Sequence, residues 1–426
     1  MLTSVKIPYG SSEITFQVPE LNLNGVYSPN IIQPSANPEK EILRALKNPI
    51  GTGPLAVAAR GARHVVIAAD DMTRQTPNPL IIPLLLNELN QAGVKDDQVT
   101  VVIALGTHRP MTGIEIARHF GPEVSRRVQI INNPWQDPSQ LVDLGTTANG
   151  TPIQISRIAL DGDFLIGLGG IVPHHIPGFS GGAKIIQPGI SGPRTTGATH
   201  FLSTRTRRSY LGWVENPVRS EMEAVAARAG LKFILNVVLD SSGRLVGAFA
   251  GDYILAHRAG VALAQQVYGV EVPAPADIVI AGSHPCDLEF WQAHKSLYPA
   301  DRVVKEGGIL IIVTPCPEGV SVMHPEVIQY AGQTAQAIEA QIVQGEIVDQ
   351  AAGALALAWA KMRQRADIFL VSSGISPTAA LALNFSPFGT VEEALSAAFA
   401  ARTPDAQVAV LTHAPDMLPF IGKKDD

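Results

Sequence analysis

The sequence predicts an α/β fold with two domains and mostly parallel sheets. Eight short apolar runs recur along the chain, and stretches of helical character lie between them. Runs of this kind are typical of parallel strands that helices cover on both faces. The chain has 426 residues, 46% of them hydrophobic and only 16% charged, so it can bury a core large enough for two domains.

The predicted strands follow one another at intervals that leave room for helices. They are residues 64–69, 99–105, 164–168, 233–239, 278–281, 309–313, 368–371 and 408–411. Residues 79–92 begin with a proline and are followed by Gly93, which is typical of a helix. This helix and the strands on either side of it predict a βαβ unit. Residues 1–20 alternate apolar and polar side chains and predict a pair of strands rather than a signal peptide.

A domain boundary is predicted near residues 270–276, where Val-Glu-Val-Pro-Ala-Pro-Ala precedes a new strand. We expect an N-terminal cofactor-binding and catalytic domain over residues 1–272 and a C-terminal α/β domain over residues 273–408. For residues 409–426 we leave open a return to the N-terminal domain. Small-molecule sites favour domain interfaces, so the active site is expected in the cleft between the two domains.

Composition excludes several classes of protein. The net charge is −6, and no segment gathers the lysines and arginines that a nucleic-acid backbone requires. No uninterrupted apolar stretch is long enough for a membrane anchor. The two cysteines, Cys286 and Cys316, are too few for a disulfide framework. We therefore expect a cytoplasmic protein without nucleic-acid or membrane partners, in which histidines, carboxylates or a cofactor's own donors hold any metal.

Polar residues cluster directly after three of the predicted strands, in residues 70–74, 106–108 and 169–184. Ligands of open α/β sheets bind beyond the carboxyl ends of the strands, so these segments are expected to meet at one crevice. Residues 173–184 read Pro-His-His-Ile-Pro-Gly-Phe-Ser-Gly-Gly-Ala-Lys. Their glycines would let backbone amides approach a phosphate, although the spacing matches neither a Walker loop nor a dinucleotide fingerprint. A tight turn without a ligand is the alternative.

Single residues in these segments carry weaker signals. His108 follows a strand and would face the crevice, but a structural histidine is as common there. Arg74 has the fork geometry that grips a carboxylate, whereas an internal ion pair with Asp71 is the alternative. His200 has no partner at metal-ligand spacing, so the residues alone favour a surface or helix-cap histidine.

The second half of the chain contributes one polar pair. Gln292 and Lys295 are three residues apart, which places them on one face if residues 289–295 are helical. A solvated helix face would show the same spacing.

Taken together, the Asp-Asp-x-Thr-Arg, Gly-Thr-His and Gly-Phe-Ser-Gly-Gly-x-Lys elements resemble, in order and spacing, the nickel-dependent lactate racemase family. The resemblance extends over nearly the whole chain. It implies a nickel-pincer nucleotide, pyridinium-3,5-bisthiocarboxylic acid mononucleotide, whose two sulfurs and ring carbon hold Ni(II). By the same resemblance, Lys184 attaches covalently to one arm, and His200 completes an approximately square-planar nickel site. The further cofactor-binding candidates are Asp71, Thr73, Ser180, Gly181 and Gly182.

The resemblance also implies roles in catalysis and substrate binding. His108 and His174 match the acid/base pair, although the neighbouring His175 leaves a choice of base. The substrate-binding candidates are Arg74, Gln292, Lys295, Trp291 and Trp359. Trp291 stands where the family's lactate enzyme is expected to have a tyrosine, and Trp359 is equally consistent with a tryptophan in a helix core.

The implied reaction inverts C2 of a 2-hydroxy acid by moving a hydride to and from the cofactor. Deprotonation of C2 would place a negative charge next to a carboxylate, and hydride removal avoids this. A base for each enantiomer is then needed. Enzymes that synthesise the cofactor are implied as suppliers. The substrate stays open among lactate, malate, longer aliphatic or aromatic acids and sugar acids.

Two other functions compete with this interpretation. His108, His174 and His200 would suffice as ligands of a catalytic zinc in a hydrolase or lyase. Alternatively, a two-domain binding protein would close on a small carboxylate through Arg74 and Lys295 without turnover.

Overall fold

The computed structural model describes residues 1–422 and contains two six-stranded sheets covered by helices. The strands are β1 (Leu2–Tyr9), β2 (Ser12–Pro19), β3 (Leu23–Tyr27), β4 (Val65–Asp70), β5 (Val99–Ala104), β6 (Gln129–Asn132), β7 (Leu141–Thr146), β8 (Pro152–Ser156), β9 (Phe164–Gly170), β10 (Pro173–His174), β11 (Gly178–Phe179), β12 (Leu231–Leu239), β13 (Leu245–Gly251), β14 (Gly269–Val272), β15 (Ala276–Gly282), β16 (Val304–Val313), β17 (Ala366–Val371), β18 (Ser386–Phe388), β19 (Val408–Leu411) and β20 (Leu418–Ile421).

The helices lie mainly between consecutive strands of the two large sheets. They are α1 (Pro38–Lys47), α2 (Leu55–Ala58), α3 (Asn78–Gln91), α4 (Gly113–Arg127), α5 (Arg157–Leu160), α6 (Pro193–Ser203), α7 (Pro217–Ala229), α8 (Leu255–Tyr268), α9 (Phe290–Ala293), α10 (Leu297–Val303), α11 (Val327–Ala331), α12 (Ala335–Gln344), α13 (Gln350–Arg363), α14 (Pro377–Ala382) and α15 (Val391–Ala401). Across residues 1–422, none of them has the length and apolar character needed to span a membrane.

The first sheet has the strand order β13-β12-β9-β4-β5-β6 and is parallel except at β13. Every residue of β4 and β5 is buried, as expected for central strands with helices on both faces. The unit β4-α3-β5 confirms the predicted βαβ motif. The loops after β4, β5 and β9 all leave from the carboxyl edge of this sheet, which brings their polar residues together.

The second sheet is wholly parallel and has the order β18-β17-β16-β15-β19-β3. Its central strands β15 and β16 carry the apolar runs that were predicted at residues 278–281 and 309–313. All eight predicted strands are confirmed, with bounds that move by a few residues. The α/β class with mostly parallel sheets is therefore confirmed.

The first 27 residues depart from the predicted division into domains. Strand β3 pairs with β19 at the edge of the second sheet. The predicted strand pair forms as the β1–β2 hairpin, but its buried side chains pack against strands of the second sheet, with Ile7 and Phe16 at their centre. Residues 1–27 thus pack with the second sheet, although we group them by sequence with the N-terminal domain 1–272, and the domain bounds stay a prediction. Alternation predicts that a strand forms, but it does not say which sheet the strand covers.

The end of the chain connects the two halves. Strand β19 lies in the second sheet, whereas β20 pairs in parallel with β14, just before the predicted boundary. The predicted segment 409–426 thus begins in the second sheet. It then pairs with β14, which lies within the range predicted for the N-terminal domain. Residues 423–426 lie outside the described residues.

Candidate active site

A cavity of about 900 Å³ lies where the carboxyl edge of the first sheet meets α9 and the turn that follows it. Residues from both halves of the chain line this cavity. Eleven of the residues singled out from the sequence are among them: Asp71, Arg74, His108, His174, Ser180, Gly181, Lys184, His200, Trp291, Gln292 and Lys295. Residues more than two hundred positions apart in the sequence thus meet at one site.

The loop of residues 173–184 is held in shape by its glycines. Gly181 and Gly182 both have positive φ, at 76° and 58°. A Cβ on Gly181 would lie 2.9 Å from Oδ1 of Asn236, and one on Gly182 would lie 2.9 Å from the His257 ring. The glycines are therefore required by contacts within the protein.

Polar groups of the same loop are also engaged internally. The Ser180 hydroxyl donates to the carbonyl of Gly170 at 2.7 Å and accepts from the amide of Val172 at 2.8 Å. The amide of Gly182 donates to Asn236 at 2.8 Å. The predicted cofactor contacts of Ser180 and Gly182 are therefore taken up by the protein itself, and Gly182 does not line the cavity.

A buried arginine supports the loop from behind. Arg219 of α7 is 1% exposed and donates to three loop carbonyls, those of Pro177, Phe179 and Gly181. Burial lowers its pKa to about 9. Sequence analysis missed this residue, because an arginine on an amphipathic helix normally faces solvent.

Lys184 projects from a 3-10 turn at the end of this loop into the cavity. Its amine has no hydrogen bond or ion pair with any of residues 1–422. Burial holds the pKa of Lys184 well below its usual value, and the nearby charges of Arg74 and Lys295 lower it further. A lower pKa increases the share of the neutral amine, which is the nucleophilic form.

His200 lies on α6 and presents one ring nitrogen to the cavity. Its Nδ1 donates to the carbonyl of Thr196 at 2.8 Å, which leaves the lone pair of Nε2 free. Burial lowers the pKa of His200 to about 4, so the ring stays neutral. A neutral imidazole whose other nitrogen is fixed to a carbonyl is the usual form of a metal ligand.

Within residues 1–422, no group of three or more histidine, cysteine or carboxylate side chains is placed to hold a metal ion. His108, His174 and His200 therefore do not form the three-histidine zinc site that was considered from the sequence.

A chain of hydrogen bonds joins the two halves of the protein at the cavity. Asp71 lies 2.6 Å from Nδ1 of His108, and Nε2 of His108 lies 2.8 Å from the amide nitrogen of Gln292. Lys295 donates to the other end of that amide. Because the carboxylate accepts and the amide donates, His108 carries its proton on Nδ1, and the lone pair on its Nε2 accepts from Gln292.

The charge state of Asp71 is set by its neighbours. Burial would raise its pKa, but the contact with His108, together with Arg74 and the Thr73 hydroxyl, holds that pKa well below the usual range. Asp71 is thus an ionised carboxylate that orients His108. Thr73 lies behind the cavity wall, where it donates to Asp71 and accepts from Arg74. The partner of Asp71 is His108, so the predicted alternative of an Asp71–Arg74 ion pair does not form.

His174 has a different arrangement on the same cavity. Its Nδ1 accepts from the amide of Ile176 at 3.2 Å, so the neutral ring carries its proton on Nε2. Burial and the nearby Lys184 hold the pKa of His174 well below its usual value. Nε2 of His108 is therefore a hydrogen-bond acceptor, whereas Nε2 of His174 carries a proton and is a donor.

His175 and Trp359 form a layer behind His174. The His175 ring stacks on Tyr298 at 3.9 Å and on His174 at 4.6 Å. Trp359 is fully buried, donates to Nδ1 of His294 at 3.2 Å, and is not among the residues that line the cavity. The structure thus places Trp359 in the helix core, in support of His294, rather than against a substrate.

Trp291 lines the cavity and stacks on His324 at 3.9 Å. His324 in turn contacts Thr107 at 2.9 Å and Asp349, the N-cap of α13, at 2.5 Å. His324 and Asp349 were not singled out from the sequence, because neither lies in a motif.

Comparison with known protein families matches both halves of the chain to domains of one family. Residues 9–212 match the model of the lactate racemase N-terminal domain, and residues 271–417 match that of the lactate racemase C-terminal domain. The chain belongs to the lactate racemase family. A lactate racemase of Thermoanaerobacterium thermosaccharolyticum is 35% identical over 326 residues, which cover 75% of this chain and 76% of that protein. The lactate racemase of Lactiplantibacillus plantarum is 32% identical with the same coverage.

Solved structures give the same relationship at the level of the fold. The lactate racemase apoprotein from Thermoanaerobacterium thermosaccharolyticum superposes with a TM-score of 0.87 at 28% identity, over 98% of this chain and 100% of that one. A protein from Thermotoga maritima superposes with a TM-score of 0.72 at 20% identity, over 90% and 98% of the two chains, and shows the fold alone.

The support that Arg219 gives to the loop can be tested without any ligand. Arg219→Met should lower the free energy of unfolding by about 3 kcal/mol, because three buried carbonyls lose their donor. Arg228→Met on the same helix removes one exposed contact and should cost less than about 1 kcal/mol. Urea unfolding followed by circular dichroism measures both values. Equal costs for the two variants would contradict the role of Arg219.

Proposed function

We propose that the protein is a racemase or epimerase of 2-hydroxy acids that works by hydride transfer with a nickel-pincer nucleotide. The relatives named lactate racemase support the reaction class. The observation that carries the proposal is the joint placement of the Lys184 amine, which has no hydrogen bond or ion pair within residues 1–422, and the free Nε2 of His200 on a cavity that His108 and His174 also line.

The residues present fit such a cofactor. His200 offers one nitrogen, and no cluster of three protein ligands exists among residues 1–422, so a metal at this place would need donors that the cofactor brings. The amine of Lys184, whose pKa is lowered by burial, is the group on the cavity wall best suited to covalent attachment. When bound, a nickel-pincer nucleotide would supply an acceptor for the C2 hydride.

Arg74 and Lys295 are the groups that would hold the substrate. Both line the cavity, and neither forms an ion pair within residues 1–422. Burial, with Arg74 nearby, lowers the pKa of Lys295 to about 8. A carboxylate placed between these two cations would relieve their mutual repulsion and form charge-assisted hydrogen bonds.

The proton steps fall to the two histidines. Nε2 of His108 is free to take the proton of the substrate hydroxyl, and the ionised Asp71 stabilises the imidazolium that results. Gln292 would exchange its hydrogen bond with His108 for one with the substrate. On the other side, His174 must release the Ile176 amide before it can carry two ring protons. The two bases would therefore act on opposite enantiomers, and they differ in the hydrogen bonds that they make before substrate binds.

An isotope experiment tests the proposal directly. Cofactor-loaded protein is given D-lactate with deuterium at C2 in ordinary water. We expect the deuterium to remain in the L-lactate product, because a transferred hydride does not exchange with solvent. NMR and mass spectrometry of the product measure the label. Loss of the label to water would indicate deprotonation at C2, and binding without any turnover would favour a carboxylate-binding protein.

The pH dependence of carboxylate binding tests the role of Lys295. With a pKa of about 8, Lys295 is charged below pH 8 and neutral above it. Affinity for 2-hydroxy-2-methylpropanoate, which has no C2 hydrogen, should therefore fall by about twofold from pH 7 to 8 and approach a tenfold loss per pH unit well above pH 8. Isothermal titration calorimetry measures this affinity. In Lys295→Arg the decline should disappear, because arginine stays charged. The same decline in that variant would assign it to another group.

A further inference from the structure

A second cavity adjoins the first. Arg74, Gly170, His174 and Lys295 belong to the walls of both cavities, so the two spaces meet at the groups that would hold the substrate. None of the roles assigned above uses this second cavity.

Apolar side chains form most of its wall. Val172, Val237 and Leu239 lie on one side, and Tyr268 and Pro285 lie near them. The hydroxyl of Tyr268 is directed away, because it donates to the carbonyl of Leu239 at 2.6 Å. A ligand in this space would therefore meet hydrocarbon along most of its length.

One carboxylate lies in this apolar wall. The side chain of Asp416 has no hydrogen bond or ion pair with any of residues 1–422. It does interact electrostatically with Arg74 and Lys295, which lower its pKa. Burial raises its pKa to about 6, and it is ionised at pH 7. A second anionic group on a ligand in this cavity would be repelled by Asp416.

The geometry at C2 indicates what enters the second cavity. A 2-hydroxy acid carries four groups on this carbon. Arg74 and Lys295 would take the carboxylate, the histidines would take the hydroxyl, and the hydrogen would face the side of Lys184 and His200. The remaining substituent has no polar partner, and the apolar space beside Arg74 and His174 is open to it.

We propose that the second cavity receives the C2 substituent of the substrate and that the protein prefers 2-hydroxy acids with a bulky apolar side chain, such as 2-hydroxy-4-methylpentanoate or 3-phenyllactate. This proposal rests on the proposed function. The methyl group of lactate is short and would leave Val237, Leu239 and Tyr268 of this wall without a contact. Dicarboxylates such as malate would bring a second negative charge toward Asp416.

The first experiment compares kcat/KM of the cofactor-loaded protein for lactate, 2-hydroxy-4-methylpentanoate, 3-phenyllactate and malate. Each buried methylene contributes roughly a fourfold gain. We therefore expect kcat/KM for the two bulky acids to exceed that for lactate by at least tenfold, and malate to be the poorest substrate. A preference for lactate or malate would overturn the proposal.

Substitutions at Val172 then locate the preference. Val172→Phe should reduce the ratio of kcat/KM for 3-phenyllactate to that for lactate by at least tenfold, because the ring fills the cavity. The matched variant Val172→Ala enlarges the same space and should preserve or raise this ratio. Equal ratios in the two variants would overturn the proposal, and thermal melting of both shows whether they are folded.

The charge of Asp416 provides an independent test. Asp416→Asn removes the negative charge at nearly constant volume and should raise kcat/KM for malate relative to lactate by at least fivefold. Calorimetry of the cofactor-free protein with malate and 3-phenyllactate gives the same comparison without turnover. An unchanged malate ratio would contradict the assigned position of the substituent.

These outcomes separate the inference from the function on which it rests. If lactate is racemised but the bulky acids are not preferred, the proposed function stands and the second cavity has another use. If no 2-hydroxy acid is racemised although the protein is loaded, the proposed function fails, and with it this inference.

Discussion

The burial of several basic side chains around one cavity is the constraint on which the rest of the site depends. Arg74, Lys184 and Lys295 face the same space, and Asp71 is committed to His108. Desolvation and mutual repulsion lower the pKa values of both lysines. The site thereby holds two amines of lowered pKa beside a guanidinium, and a carboxylate would relieve the repulsion among these basic groups.

The scaffold keeps these groups in place through hydrogen bonds that use protein atoms alone. Arg219 donates hydrogen bonds to carbonyls of the glycine-rich loop. Asn236 accepts from the amide of Gly182, and Ser180 accepts from the amide of Val172. Helix α6 fixes the tautomer of His200 through Thr196. These contacts join protein atoms only, and fixed groups of this kind are the usual basis of precise catalytic geometry.

The fold was largely predictable because buried parallel strands leave a strong apolar pattern, and all eight predicted strands form. Residues 1–27 pack with the second sheet, and alternation alone does not identify the sheet that a hairpin covers. The spacing of Gln292 and Lys295 predicts one shared face, and both residues line the cavity. The pairing of Asp71 with His108 spans 37 positions and has no local signal. The role of Arg219 has no signal in the sequence, because its burial depends on tertiary packing. Of the two positions considered for Trp359, the structure has the helix core and not the pocket wall.

The most direct test of this account is intact-mass spectrometry, with nickel analysis, of protein co-produced with the enzymes that synthesise the cofactor. Wild type should carry a covalent adduct and nickel, Lys184→Ala should carry no adduct, and Lys295→Ala, on the same cavity, should keep it. An adduct that survives in Lys184→Ala would contradict the account. Wild type free of adduct and nickel, while a control lactate racemase is loaded under the same conditions, would contradict it as well.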